Sequence, residues 1–281
     1  MRRKPTDRRL TPARADLAAV HLRGTVKAER FVEGRAMSVA ETVIDLRKAP
    51  DLSLGVETQA LFGETFILFE DEEGWGWGQC ERDGYVGYVS STSLLPPGPA
   101  PTHRVSVTRT HVYPGATIKT APLTALTFDA RVAVTGGDGT WAKTPHGFVF
   151  ARHLTPIETW VDDPVVVAEM FLGLPYLWGG RSSQGLDCSG LVQTALRAAG
   201  IEAPRDSDMQ ARFGEALAVD GPLRRGDLVF WKGHVGIMAC AETVIHANAF
   251  HMLVVREPLD EARARIMANG GGEMTGARRV V

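Results

Sequence analysis

Asp187-Cys188-Ser189-Gly190 stands where a loop turns into a helix, and that junction decides how the C-terminal half folds. Upstream, Pro175-Tyr176-Leu177-Trp178-Gly179-Gly180 is too rich in Gly and Pro to continue a regular element. Downstream, Leu191, Val192, Ala195, Leu196 and Ala199 recur at helical spacing, and Gly200 ends the run. Cys188 is therefore expected in the first turn of an amphipathic helix. The unpaired N–H groups and positive dipole end there favour thiolate over thiol, which is how a nucleophilic cysteine is made.

A nucleophile needs a base, and one lies downstream. Gly226-Asp227-Leu228-Val229-Phe230-Trp231 reads as a turn entering a buried strand, and Gly233-His234-Val235-Gly236-Ile237-Met238 as a second strand with a histidine at its start. Thr243-Val244-Ile245-His246-Ala247-Asn248 reads as its hairpin partner. A three-residue loop pairing Ala239 with Thr243 sets His234 opposite Asn248, with His246 as the diagonal neighbour on the same face. Diagonal neighbours are about 7–8 Å apart at the backbone, within reach of two imidazoles. One ring can take the thiol proton while the other orients it. Cys80, in a strand-like segment, and Cys240, in the hairpin turn, have the ordinary reading of small packed residues.

Residues 164 to about 281 resemble the NlpC/p60 family of cell-wall cysteine peptidases, a circularised relative of the papain fold. The matching segments are P-Y-L-W-G-G (175–180), D-C-S-G-L-V (187–192), R-G-D-L-V-F-W (225–231), G-H-V-G-I (233–237) and I-H-A (245–247). The resemblance implies Cys188 as nucleophile, His234 as base and His246 as third catalytic residue. It also implies that the Cys188 backbone N–H and the Tyr176 hydroxyl stabilise the oxyanion. No catalytic position departs from the family pattern.

A chain of 281 residues is long for one core and points to two or three domains. The formal net charge of −2 carries no polyanion signature, so nucleic acid is not an expected partner. Three widely spaced cysteines form neither a disulfide framework nor a zinc site. Met1 to Arg9 is basic but no apolar core follows, and no later segment is long enough to span a bilayer. The expectation is a cytoplasmic protein without a membrane partner. A short helix is expected from Pro12 to Leu22, and no stripe of residues specifies an oligomeric state.

Ahead of the catalytic part lie two copies of one pattern. Residues about 38–97 contain short alternating strands (Val39 to Asp45, Glu57 to Phe62, Thr65 to Phe69), then Gly74-Trp75-Gly76-Trp77-Gly78-Gln79 and Gly84-Tyr85-Val86-Gly87-Tyr88-Val89. Residues about 103–158 repeat the layout through Arg104 to Val107, Ala130 to Val134, Gly139-Thr140-Trp141-Ala142-Lys143 and Gly147-Phe148-Val149-Phe150-Ala151. Short strands with Gly turns at this spacing indicate small β-barrels, and the halves resemble tandem bacterial SH3 (SH3b) domains. Trp77 and Trp141 read as barrel core. The fold class is α+β: a papain-like NlpC/p60 domain preceded by two small all-β SH3-like barrels. The expected boundaries are an N-terminal segment 1–37, barrels at 38–98 and 99–160 joined through the stiff Pro96-Pro97-Gly98-Pro99 linker, and a peptidase domain at 161–281.

This layout resembles that of cytoplasmic murein-recycling peptidases, which cut the γ-D-glutamyl–diaminoacyl bond of short peptides with a free L-alanine amine. The family's dipeptide subsite maps onto Arg205-Asp206-Ser207, with Asp206 on the ammonium and Arg205 and Ser207 on the D-glutamyl α-carboxylate. Asp206 also reads as a cap for the helix that follows. The resemblance brings Glu57 and Tyr85 to the same pocket, with Trp178 and Asp187 flanking the cleft and Ser189 bonding the peptide. Glu57 read alone is equally an ordinary surface carboxylate. Cys188 would attack the γ-carbonyl, His234 would protonate the leaving amine, and water would release the thioester, with no metal or organic cofactor. Two rival readings are an exported hydrolase acting on intact wall, and a non-catalytic wall-binding protein run by its SH3b pair. Whether the diamino acid is meso-diaminopimelate or L-lysine is not legible in any residue.

Overall fold

A computed structural model describes residues 7–280. The first six residues of the basic N-terminus and Val281, at the end of the closing strand expected from Ala277, lie outside the described residues. The chain divides after Ile157 into two compact units.

The first unit holds two β modules. In one, strands Arg35–Val39, Thr65–Glu72, Trp75–Cys80, Val86–Ser90 and Leu94–Leu95 form an antiparallel sheet, beside a separate hairpin of Val43–Leu46 and Thr58–Leu61. In the other, Arg109–Tyr113, Thr124–Thr127, Gly136–Gly137, Trp141–Thr144 and Gly147–Phe150 form a second sheet beside a smaller one of His103–Val105, Arg131–Val132 and Leu154–Pro156. Each module runs hairpin, single 3-10 turn (Ser91–Ser93, Ala151–His153) and an exit strand that returns to pair with the first strand. The sheets run in linear strand orders, joined at one edge by a single antiparallel bridge between Arg47, next to the hairpin, and Tyr88. The expected closed barrels are thus corrected to open sheets packed over apolar clusters, one centred on Phe66 and Val89 and one on Leu126 and Val149. Trp77 and Trp141 are buried.

Two local expectations give way to packing. The strand expected over Val39–Asp45 breaks at Ala40–Thr42, so that its halves join different sheets. The helix expected over Pro12–Leu22 is instead a buried strand, Leu17–Ala19, paired in parallel with Arg30–Val32 and followed by one 3-10 turn. Leu17 packs on Trp77 and Val86, and this burial outweighs the helix propensity of Leu and Ala. The two modules share a buried charge cluster. Arg82 bonds Glu64 at 2.7 Å and also Asp129, which takes Arg104 on its other oxygen at 3.4 Å.

The second unit is built on a six-stranded antiparallel sheet. Its strands are β1 (Glu215–Leu217), β2 (Leu228–Trp231), β3 (His234–Cys240), β4 (Thr243–Asn248), β5 (Leu253–Pro258) and β6 (Gly276–Arg279), in the order β1-β6-β2-β3-β4-β5. The helices are α1 (Pro164–Met170), α2 (Cys188–Ala198), α3 (Ser207–Gln210) and α4 (Leu259–Ala268). All eleven residues of α2 are buried, between α1 and strands β3 and β4. Gly200, at φ 78°, takes the left-handed conformation that ends α2, as a glycine can without strain. Asp227 of the G-D-L turn is fully buried and bonded by Arg279 at 2.7 and 2.8 Å, which ties the entry of β2 to β6.

The β3–β4 register pairs Ile237 with Ile245 and Met238 with Val244, the alignment that sets His234 opposite Asn248. The turn differs from the expected three-residue loop. Cys240 pairs with Thr243, and a bulge between Met238 and Cys240 absorbs the extra residue.

Candidate active site

Cys188 is the first residue of α2, with Asp187 as N-cap. The Asp187 carboxylate accepts from the Gly190 N–H at 2.6 Å and from the Gly179 N–H at 3.0 Å, so one side chain joins the Gly-rich entry loop to the helix start. The fourth residue of the motif must be glycine. A Cβ on Gly190 would lie 2.2 Å from the Gly180 carbonyl oxygen.

Beneath this turn lies Arg205, 1% exposed. It donates to both Asp187 oxygens at 3.0 and 2.7 Å and to Ser189 Oγ at 2.9 Å, while Ser189 Oγ donates to Asp187 at 3.2 Å. Arg205, Asp187 and Ser189, expected along the substrate, are thus gathered into a buried knot that holds the turn carrying Cys188. The N-cap role was readable from an Asp preceding an apolar helical run. Its pairing with Arg205, eighteen residues on, had no sequence signal. Asp206 occupies the N-cap position of α3 without a side-chain capping bond, and Ser207 opens that helix; both are half-buried.

His234 opens β3, and its Nε2 lies 2.8 Å from His246 Nδ1. Gly236 makes this possible. A Cβ there would lie 2.5 Å from Val244 Cγ2 and 3.4 Å from His246 Cβ, so the glycine clears the face across which His246 leans. His246 is fully buried, and its Nε2 is 2.5 Å from Glu257 Oε1 on β5. Arg265 of α4 bonds the same oxygen. Trp231 packs at 5.7 Å from His234, and a cavity of about 140 Å³ runs along Trp231, His234, His246, Asn248 and Phe250. A larger cavity of about 460 Å³ lies in the first unit along the Pro96–Pro101 linker, with none of these residues on its wall. Among the described residues no cluster is arranged to hold a metal ion.

The electrostatics qualify the expected free thiolate. Burial pushes the Cys188 thiol up to about 12, with Asp187 adding to the effect while the Val235 N–H and Arg205 oppose it. Burial likewise pushes His234 down to about 3, aided by His246. Each charge alone is disfavoured in this setting, so burial favours the neutral thiol and the neutral imidazole. Tyr176 is half-buried, with its backbone N–H on the Met252 carbonyl at 2.9 Å. Burial, then Cys188 and Asp187, raise its pKa, which keeps the hydroxyl a donor near the sulfur. Trp178 is 69% exposed.

In the first unit, Glu57 Oε1 accepts from Arg8 at 2.9 Å, while its Oε2 is buried with no hydrogen-bond partner among the described residues. Tyr85 lies in the core of its module. The bond from Glu57 raises the pKa of Arg8, and Tyr85 adds to the effect.

Comparison with known proteins accords with this geometry. Residues 173–265 match the NlpC/P60 family, and residues 46–94 match the bacterial dipeptidyl-peptidase SH3 domain. The chain is similar to a γ-D-glutamyl-L-lysine dipeptidyl-peptidase of Bacillus cereus, 35% identical over 54% of this chain and 46% of that protein. It is also similar to one of Bacillus subtilis, 29% identical over 68% and 72%. The chain thus spans about half the length of the first of these relatives. A solved NlpC/P60 family protein from Bacillus cereus shares the fold over 87% of this chain and 99% of that one, with a TM-score of 0.73 at 24% identity.

Proposed function

Since the chain carries an NlpC/P60 cysteine-peptidase domain behind a bacterial SH3 domain, we propose that it hydrolyses the γ-D-glutamyl–diaminoacyl bond of murein-derived peptides with a free N-terminal L-alanine. The observation that carries the reading is the His234–His246 pair at 2.8 Å, on a strand whose Val235 N–H meets the Cys188 sulfur. His234 Nε2 is engaged by His246, which leaves Nδ1 for the thiol. Proton transfer from Sγ to Nδ1 accompanies attack of sulfur on the γ-carbonyl. The Cys188 N–H at the helix start and the Tyr176 hydroxyl stabilise the oxyanion. The proton then passes to the leaving amine, and water, deprotonated by His234, releases the L-Ala-γ-D-Glu acid from the thioester.

The relatives named for γ-D-glutamyl-L-lysine support the choice of bond. Asp206 and Ser207 are proposed to bind the dipeptide, and Glu57 and Tyr85 to add to the free-amine preference; the buried, unpartnered Oε2 of Glu57 supports an incoming donor. A recycling role in the cytoplasm belongs to the same proposal, and no helix among the described residues is long and apolar enough to cross a membrane.

The test is hydrolysis of L-Ala-γ-D-Glu-meso-diaminopimelate, its L-lysine counterpart and their N-acetylated forms by wild type and Cys188→Ala. Cys188-dependent cleavage of the free-amine peptides alone is the expected result. Equal cleavage of the acetylated forms discards the ammonium subsite and turns the reading towards wall remodelling. A Glu57→Gln variant with undiminished free-amine preference removes Glu57 from it.

A further inference from the structure

The relay of side chains does not stop at the second histidine. His246 pairs across the sheet with Val255, and Val244 with Glu257, so Glu257 is the diagonal neighbour of His246 on the same face. His234 stands in that same relation to His246 one strand earlier. Three strands thus carry three polar side chains in one diagonal line, bonded at 2.8 and 2.5 Å. Burial opposes ionisation of Glu257, but the bonds from His246 and Arg265 hold its carboxyl below the usual range, so it is a carboxylate.

We propose that Glu257 is a positioning residue of the hydrolysis, fixing which nitrogen of each histidine bears a proton so that His234 Nδ1 presents a lone pair to the Cys188 thiol. The proposal rests on the assignment of Cys188 and His234 as nucleophile and base. A carboxylate only accepts, so His246 Nε2 is the donor in the 2.5 Å bond. Neutral His246 is then an acceptor at Nδ1, so His234 Nε2 is the donor in the 2.8 Å bond. Neutral His234 is in turn left with its lone pair on Nδ1. When the S–H bond breaks and N–H forms at Nδ1, the imidazolium lies one ring away from the carboxylate that stabilises it.

The charged groups around this line are few. Glu257 meets His246 from β4 and Arg265 from α4. His234 meets His246 and feels Arg265 and Glu257 with opposite signs. Cys188 feels Asp187 and Arg205, and Tyr176 stands beside it.

The experiment is ¹⁵N-histidine NMR, which reads tautomer and titration directly, on wild type, E257Q, E257L and R265Q, alongside peptide hydrolysis. Wild type is expected to be protonated at Nε2 of both rings. E257L lacks the acceptor; it loses that single tautomer, and kcat falls on the order of 10–100-fold with KM within about twofold, as when other orienting partners are removed. E257Q keeps an acceptor oxygen without the charge. It retains the tautomers and more activity than E257L, but its imidazolium titrates at lower pH. R265Q removes the opposing cation, and the imidazolium titrates at higher pH. If E257L fails to fold, the tautomers and kcat of E257A, which also lacks the acceptor, still decide the matter. Tautomers and kcat unchanged across the variants overturn the proposal, because a merely structural Glu257 would shift titration through its charge but would alter neither of these. Hydrolysis that survives His234→Ala overturns it together with the base assignment. A wild type that shows the stated NMR behaviour but cleaves no murein peptide sinks the substrate reading and leaves Glu257 in place.

Discussion

Two buried guanidinium clusters, one in each unit, use the same chemistry for different ends. In the first unit Arg82 bonds Glu64 and Asp129, and Arg104 joins the second of these, fastening one β module to the other. In the second unit Arg205 bonds Asp187 and Ser189, which flank Cys188 on either side. Both clusters remove charge from water, where an ion pair is stable only if its remaining donors and acceptors are satisfied. The first has two carboxylates facing its central guanidinium. The second has one carboxylate that also receives the backbone N–H groups of Gly179 and Gly190. A charge cluster becomes part of a catalytic site when its partners include the backbone that carries the reacting atom.

The largest expected effect separates chemistry from support. Cys188→Ala should lower peptide hydrolysis by at least about 10⁴-fold while leaving the thermal midpoint nearly unchanged, as steady-state kinetics and a melting curve would show. The next tests the comparison itself. Arg82→Met removes the guanidinium shared by two buried carboxylates, leaving Glu64 the Leu61 N–H and Asp129 only Arg104, and should cost about 3–5 kcal/mol in urea unfolding, with kcat per folded molecule within about twofold of wild type. Arg205→Met should cost less stability, because one carboxylate rather than two loses its bond and Asp187 keeps the Gly179 and Gly190 N–H groups, but should lower kcat more than about tenfold. Full kcat in Arg205→Met would break the contrast between the two clusters. Gly190→Ala probes the same knot through the backbone. Its Cβ would sit 2.2 Å from the Gly180 oxygen, and about 1–3 kcal/mol of destabilisation is expected in the same assay.

The last effect is a gradual one, a pH slope. Burial holds His234 down to about 3 from its ordinary 6.5. Between those values the unfolded chain binds a proton that the folded chain does not. Stability is therefore fully present above the unfolded value and is lost as pH falls through this window, by up to about 1.4 kcal/mol per pH unit. Urea midpoints at a series of pH values should show a shallower slope in His234→Asn than in wild type; equal slopes would mean that His234 is protonated as readily folded as unfolded.

Local patterns made much of the peptidase half readable. The Gly-rich loop, the apolar spacing after Cys188 and the alternation around His234 and His246 each act over a few residues, and α2, β3 and β4 lie where those patterns put them. The hairpin register was readable because a one-residue slip would turn a buried face outward. The first unit was harder. Leu17-Ala18-Ala19 favours a helix in isolation and is a strand because Trp77 and Val86 offer it a surface. Arg109–Tyr113 and Thr124–Thr127 escaped notice, and closed barrels were inferred where the sheets stay open, because closure depends on pairing between distant edges.

By itself, then, the sequence determined the helix that Cys188 opens, the two histidines on one face and the class of chemistry such residues can perform, since each follows from short-range periodicity and residue type. Only the tertiary structure decided that Arg205 and Ser189 lock Asp187, that burial favours the neutral forms of Cys188 and His234, and that Glu257 and Arg265 continue the line beyond His246. Those features depend on desolvation and on side chains from separate elements, and neither exists until the chain has folded.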